Sequence, residues 1–281
     1  MKSIGSGLDS GNESARKTAG ATYATFNAAL GSSGLASVFA QNELTVFAPT
    51  DAAFAALGLN PGNIRNVPNL QNILLYHVVA GTVLSTDLTN GYVPTVNGAA
   101  VEINLNAGAK VNDANIVMVN TRARNGVIHG IDKVLLPPTQ NIVEIAAGNE
   151  NFSILVAAVE AAGYVELLAT TNNLTVFAPT NDAFLDLLKE LGFDSLEKLL
   201  DKIQVEGLQK VLAYHVFSGR VFSSDLSNTS IKMLSEDELT IDVSGPSLID
   251  LSGRVSGIVA TDIQATNGVI HVIDKVVLPF E

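Results

Sequence analysis

Four histidines are the only side chains in this sequence that ordinarily titrate close to neutral pH, and each lies in a block that occurs twice. His77 and His215 each follow a tyrosine, while His129 and His271 open the segments HGID and HVID. One pair of histidines per half could supply part of a metal site, or a general base and its orienting partner. Spacing argues against the metal. His129 and Asp132, like His271 and Asp274, are three positions apart, so a regular strand points them to opposite faces and one ion cannot hold both without a bulge. Val127, Ile128 and Ile131 surround His129 with apolar side chains, which favours a buried imidazole bonded to backbone or to a neighbouring hydroxyl. With no HExxH pattern, no acidic calcium loop and no cysteine, the expectation is no metal and no cofactor.

Nucleophilic catalysis has equally thin material. Ser85 and Ser223 begin STDL and SSDL, which place Asp87 and Asp225 close to hydroxyls, but no G-x-S-x-G elbow is present and Ser-x-Asp after a strand reads as a turn or cap. The glycines form no phosphate loop. The expectation is therefore a protein that is not an enzyme. Tyr76 and Tyr214 close the aliphatic runs Ile73-Leu74-Leu75 and Val211-Leu212-Ala213, so each ring either packs under a helix with its hydroxyl satisfied or stands out as a binding anchor.

The elements that must carry these residues are also duplicated. Asn125 to Pro137 reads NGVIHGIDKVLLP and Asn267 to Pro279 reads NGVIHVIDKVVLP, identical at eleven of thirteen positions. Asn-Gly before a β-branched run predicts a tight hairpin turn of the mirror-image kind, with a closing strand after it. Leu44 to Phe54 (LTVFAPTDAAF) and Leu174 to Phe184 (LTVFAPTNDAF) match at nine of eleven positions. Each predicts a short strand ended by proline, then a helix capped by Thr50 or Thr180 and carrying Phe54 and Leu57, or Phe184, Leu187, Leu188 and Leu191. Upstream, Tyr23, Phe26, Leu30 and Gly34 face Phe152, Leu155, Val156, Val159 and Gly163, the apolar stripe and terminal glycine of a helix. The second copy inserts DSLEKLLDKI, an amphipathic helix predicted to start at Asp194 with Glu197 as its capping-box partner. Strands at Val101 to Leu105 and Leu239 to Val243 follow, and Lys133 and Lys275 read as charges protecting a sheet edge. Segregated helices and antiparallel strands make each copy an α+β unit on a small sandwich or barrel, joined through Pro138 to Asn141.

A length of 281 residues suits two such units. No uninterrupted apolar run of about 18 residues suggests insertion into a membrane. The net charge of −12 falls on the second half, where residues 141 to 281 carry 20 acidic and 8 basic side chains against 8 and 8 before them. Such a surface repels phosphate backbones, so nucleic acid is not an expected partner. Residues 1 to 20, rich in Ser, Gly and Asn and without an apolar core, read as a flexible leader rather than an export signal.

FAPT, the Tyr-His dipeptide and the closing NGVIHVIDKVVLP, met twice in the same order, resemble the fasciclin (FAS1) family over about residues 21 to 280. The resemblance implies two tandem units, 21–138 and 139–281, each a wedge-like seven-stranded β-sandwich with a layer of α-helices. It also implies a non-enzymatic cell-adhesion or matrix-interaction protein, extracellular or anchored at the cell surface, whose export signal would lie outside this sequence. Its partner would be a cell-surface or matrix protein or polysaccharide. In animal members the Tyr-His region and an Asp-Ile pair before the last block are linked to integrin recognition; Tyr76, His77, Tyr214, His215, Asp262 and Ile263 match those positions as candidate binding residues, while microbial relatives carry the same motifs without integrin partners, so the ligand does not transfer with the fold. Asn120 and Thr121 replace the Asp-Ile pair in the first copy. An envelope-associated protein that binds carbohydrate or another small ligand is the alternative.

Overall fold

The computed structural model describes residues 21–280, which form two compact units, one ending at Pro137 and the other beginning at Pro138. The expected leader, residues 1 to 20, lies outside the described residues. In the first unit the strands are β1 (Leu44–Pro49), β2 (Val78–Ala80), β3 (Gly91–Pro94), β4 (Ala100–Asn104), β5 (Lys110–Val111), β6 (Ala114–Ala123) and β7 (Gly126–Ile131). They hydrogen-bond in the order β2-β1-β7-β6-β5-β4-β3. The second unit repeats the design with β8 (Leu174–Pro179), β9 (Val216–Ser218), β10 (Thr229–Lys232), β11 (Glu238–Asp242), β12 (Ser247–Ile249), β13 (Val255–Gln264) and β14 (Gly268–Ile273), ordered β10-β11-β12-β13-β14-β8-β9.

One pairing departs from the antiparallel expectation. β1 runs parallel to β7, with Val46 opposite Ile128 and Phe47 opposite His129, and β8 runs parallel to β14 in the same register. The reason is legible in the residues: LTVFAP and GVIHVI are apolar on both faces, and strands covered on both sides suit a parallel pair. Alternating neighbours fall into separate cores. Val46 and Ile128 face the helices with Phe26, Phe39, Phe54 and Leu74, while Phe47 and Ile131 face Val101, Ile103 and Val111 from the far end of the ladder. Strands distant in the ladder can share a core only if it folds over on itself. Each unit is thus a seven-stranded α+β sandwich with a helical layer on one side.

The helices follow their predicted stripes. Phe26 and Leu30 are buried on the helix Ala24–Ser33 with Tyr23 buried just before it, Phe152, Leu155 and Val159 are buried around Ser153–Ala161 with Val156 half-buried, and Gly34 and Gly163 close them at positive φ. Thr50 and Thr180 cap the helices after FAPT, accepting from Ala53 N at 3.2 Å and Ala183 N at 3.3 Å. Leu57 and Leu191 fall beyond the ends of these helices and are exposed. The inserted helix begins one residue later than predicted. Ser195 accepts from Lys198 N, whereas Asp194 pairs with the Lys198 ammonium at 2.6 Å.

Two further expectations change. Lys133 and Lys275 are not edge charges, because they follow β7 and β14, which lie inside the ladder; Lys133 instead pairs with Asp113. Asn-Gly is not the centre of a mirror-image turn either. Ala123 pairs with Gly126, so Arg124 and Asn125 form the loop, and neither has positive φ. The dipeptide serves a close approach. Asn125 Nδ2 donates to Phe39 O (2.8 Å) and Asn42 O (2.6 Å), tying the turn to the segment that leads into β1. A Cβ on Gly126 would stand 1.8 Å from Leu44 O. The second copy does the same. Asn267 Nδ2 donates to Leu168 O and Thr171 O, its Oδ1 accepts from Ile142 N, and a Cβ on Gly268 would meet Leu174 O at 2.3 Å.

Candidate functional site

Each Tyr-His pair is placed at the end of a helix where the chain enters an edge strand. Tyr76 is buried with its hydroxyl donating to Ala100 O at 2.9 Å and accepting from Asn112 Nδ2 at 3.1 Å. Tyr214 does the same toward Glu238 O at 2.7 Å, and burial first, then Asp250, pushes its pKa up to about 12. His77 Nε2 accepts from Leu135 N at 2.9 Å, which leaves the proton on Nδ1 to donate to Ile73 O at 2.8 Å. His215 repeats this between Val277 N at 3.2 Å and Val211 O at 2.8 Å. Burial lowers the pKa of each to about 4, so both are neutral at physiological pH. These imidazoles staple the segment after the closing strand to the helix.

The second histidine pair has the opposite tautomer. His129 Nδ1 accepts from Asn120 N at 3.4 Å while Nε2 donates to Val83 O at 3.0 Å, and its ring stacks on Phe47 with centroids 5.6 Å apart. His271 is held between Asp262 N and Val221 O and stacks on Phe177. Burial lowers both pKa values; the Val221 carbonyl and then Asp262 work against it at His271. Val83 and Val221 are themselves fixed by Thr45 and Thr175, whose hydroxyls accept from Val83 N at 2.8 Å and Val221 N at 3.0 Å. These threonines belong to the repeated FAPT block, and a polar residue recurring inside an apolar strand is the signal that could have marked them.

Asp262 sits at positive φ on a bulge of β13, a conformation that Asx residues tolerate. Its carboxylate accepts from Ser223 N at 2.8 Å and from the Ser223 hydroxyl. Asn120 occupies the matching bulge of β6, accepting from Ser85 N at 2.8 Å and donating to Ser85 Oγ at 2.7 Å. The Asn that replaces Asp in the first copy therefore makes the same link. Serine, histidine and an Asx residue do meet here, but the serine hydroxyl is bonded to the Asx and both imidazole nitrogens are committed to backbone. A general base would need a free nitrogen facing the hydroxyl. Asp87 and Asp225 cap their own turns, accepting from Leu84 N and Phe222 N.

Of the six residues singled out by sequence, Tyr76, His77, Tyr214 and His215 lie in the cores, while Asp262 and Ile263 are half-buried. His129 and Asp132 point to separate partners, Asp132 accepting from Asn115 N at 2.7 Å and from its Nδ2 at 2.6 Å. Among the described residues no cluster of three metal-ligating side chains occurs.

The Fasciclin domain family model matches residues 21–137 and again 150–279. The chain belongs to the fasciclin domain family. Protein sll1483 of Synechocystis is 42 % identical over 142 residues, covering 49 % of this chain and 73 % of that protein. Human periostin is 32 % identical over 248 residues, 85 % of this chain and 29 % of its own. The pig transforming growth factor-beta-induced protein ig-h3 is 32 % identical over 243 residues, 84 % of this chain and 34 % of its own. This fasciclin pair thus spans about a third of the two animal proteins. Among solved structures, the FAS1 domain pair of the insect cell adhesion molecule fasciclin I aligns over 90 % of this chain and 95 % of its own, at 19 % identity and a TM-score of 0.44.

Proposed function

We propose that this fasciclin pair is a non-enzymatic adhesion or matrix-interaction module, acting outside the cell on a secreted or surface-anchored protein. The observation that carries the reading is the commitment of both nitrogens in all four histidines to backbone partners, which leaves the residues of chemical interest holding the fold. Recognition then belongs to surfaces. Tyr76, His77, Tyr214 and His215 act from below by positioning the strands, and Asp262 with Ile263, on the bulge of β13, is the part of the motif set that can touch a partner. Membership of the fasciclin domain family supports the same direction.

Binding through such surfaces is individually weak, and two units gain by avidity. Beads coated with the whole chain are expected to attach to producing cells or their matrix more firmly than beads carrying either unit at the same density. Attachment no better than that of albumin-coated beads would remove the reading. Binding of envelope carbohydrate is a second reading, favoured by one feature, a polar cleft on the first unit.

A further inference from the structure

That cleft, about 450 Å³, lies where the end of the helix Ala24–Ser33 meets the start of the helix Leu70–Tyr76, within the size range of small-molecule sites. Its polar lining is Ser32, Ser33, Arg65, Asn69, Gln71 and Asn72, and no carboxylate contributes to it. In a protein of net charge −12 that is a notable selection of groups. Among the described residues the guanidinium of Arg65 and the carboxamide of Asn69 have no hydrogen-bond or ion-pair partner. Gln71 has a different task. Its Nε2 donates to Ser33 O at 2.6 Å, and in the second unit Gln209 donates to Ala162 O at 2.8 Å, so this link between helices is shared scaffolding. The groups around it are not shared, since Gly207 and Ala162 stand where the first unit has Asn69 and Ser33.

We infer that this cleft binds a carboxylate-bearing sugar, a uronic acid residue of a surface or matrix polysaccharide; the inference rests on the polysaccharide side of the adhesion reading. A guanidinium presents a planar fork that matches a carboxylate with two parallel hydrogen bonds. One cation, with no lysine beside it, suits a singly charged carboxylate better than a phosphate. The Ser32 and Ser33 hydroxyls donate to Ala28 O and Leu30 O, and Asn72 Oδ1 accepts from Asn97 Nδ2, so the Asn69 carboxamide, Asn72 Nδ2 and Gln71 Oε1 are the groups beside Arg65 that offer donors and an acceptor to ring hydroxyls, and Leu70 and Leu75 complete the lining with apolar surface for a sugar face. The first half of the chain carries equal numbers of acidic and basic residues, so an anion approaches it without the repulsion that the second half exerts. Charges more than about 8 Å away are largely screened at physiological salt.

The test is calorimetric titration of the full chain with an oligogalacturonate and with its fully methyl-esterified form, which keeps the sugars and removes the charge. The acid should bind saturably and the ester at least about tenfold more weakly, as expected for loss of a charge-assisted pair. Arg65→Gln, at an exposed position, should weaken binding of the acid by the same factor while leaving the melting temperature unchanged. Asn69→Gly removes the amide, keeps the positive φ that residue 69 adopts, and should weaken the acid severalfold. No saturable binding of the acid, or equal binding by wild type and Arg65→Gln, overturns the cleft. Bead attachment measured on the same preparations reports the adhesion reading separately, so a protein that attaches but binds no uronate overturns the cleft alone.

Discussion

His77 and His215 hold their places only as neutral imidazoles, because each accepts a backbone N–H on Nε2. In the unfolded chain a histidine takes up its proton near pH 6.5, whereas burial holds these two at about 4 in the fold. The unfolded state binds more protons between those values. Stability is therefore full above about pH 6.5, falls as pH drops toward 4 and levels off below, at up to about 3 kcal/mol per histidine. Denaturant midpoints recorded from pH 7 to 4.5 should fall steadily, and a flat profile would contradict the staple. Gly130 makes a second residue-level case, since a Cβ there would meet Tyr23 Oη at 2.1 Å. The matched block of the second copy has Val272, and there the facing helix carries Phe152, without a hydroxyl. Gly130→Val alone should cost about 1–3 kcal/mol by overpacking, and Tyr23→Phe should recover part of it, giving a non-additive double-mutant cycle.

At the scale of elements, the parallel pair β1·β7 depends on the backbone of β7 coming within contact of Leu44 at its first residue. Gly126→Ala sets a Cβ into the Leu44 carbonyl at φ +140° and should cost about 3 kcal/mol or more. Gly98→Ala is the control, at φ +98° with open space around it, and should cost only about 1–2 kcal/mol of backbone strain. Equal losses in chemical denaturation would mean that the close approach is not what selects glycine. The residue after FAPT opens the next helix and ties it to the start of the first one: Asp51 accepts from Thr25 N at 2.7 Å and Ala24 N at 3.1 Å, and Asn181 accepts from Ile154 N at 2.9 Å. Burial alone would raise the Asp51 pKa, but the hydrogen bonds from Thr22, Thr25 and Ala24 together lower it. Asp51 accepts on both oxygens, whereas Asn181 accepts on Oδ1 and donates from Nδ2 to Glu150 O and Ser153 Oγ, so Asp51→Asn should lose about 0.5–1 kcal/mol and Asp51→Ala about 1–2 kcal/mol. Thermal melts of the two variants separate these outcomes.

For the whole molecule, every hydrophobic cluster among the described residues draws its members from one unit. Residues 21–138 and 139–281 expressed apart should each unfold in a single cooperative transition followed by circular dichroism, and a fragment without one would show that its core is incomplete. The fragments should also separate on an anion exchanger at pH 7, the second alone being held, since the acidic excess lies after residue 140.

Duplication, the α+β order of elements, helix stripes and threonine caps were all legible in local pattern, because they depend on residues within a few positions of one another. Burial of the histidines was also legible, from their apolar neighbours. The placement of their partners was not. Leu135 N reaches His77 across 58 positions and Phe39 O meets Asn125 across 86, and backbone groups that every residue possesses leave no mark on sequence. For the same reason Asn-Gly looked like a turn when it marks a close approach, and serine, histidine and aspartate looked like chemistry when their hydrogen bonds run to backbone and to each other. Sequence determined which elements form and that they form twice; the tertiary structure alone decided which polar atoms those elements consume and which, as in the Arg65 cleft, they leave facing solvent.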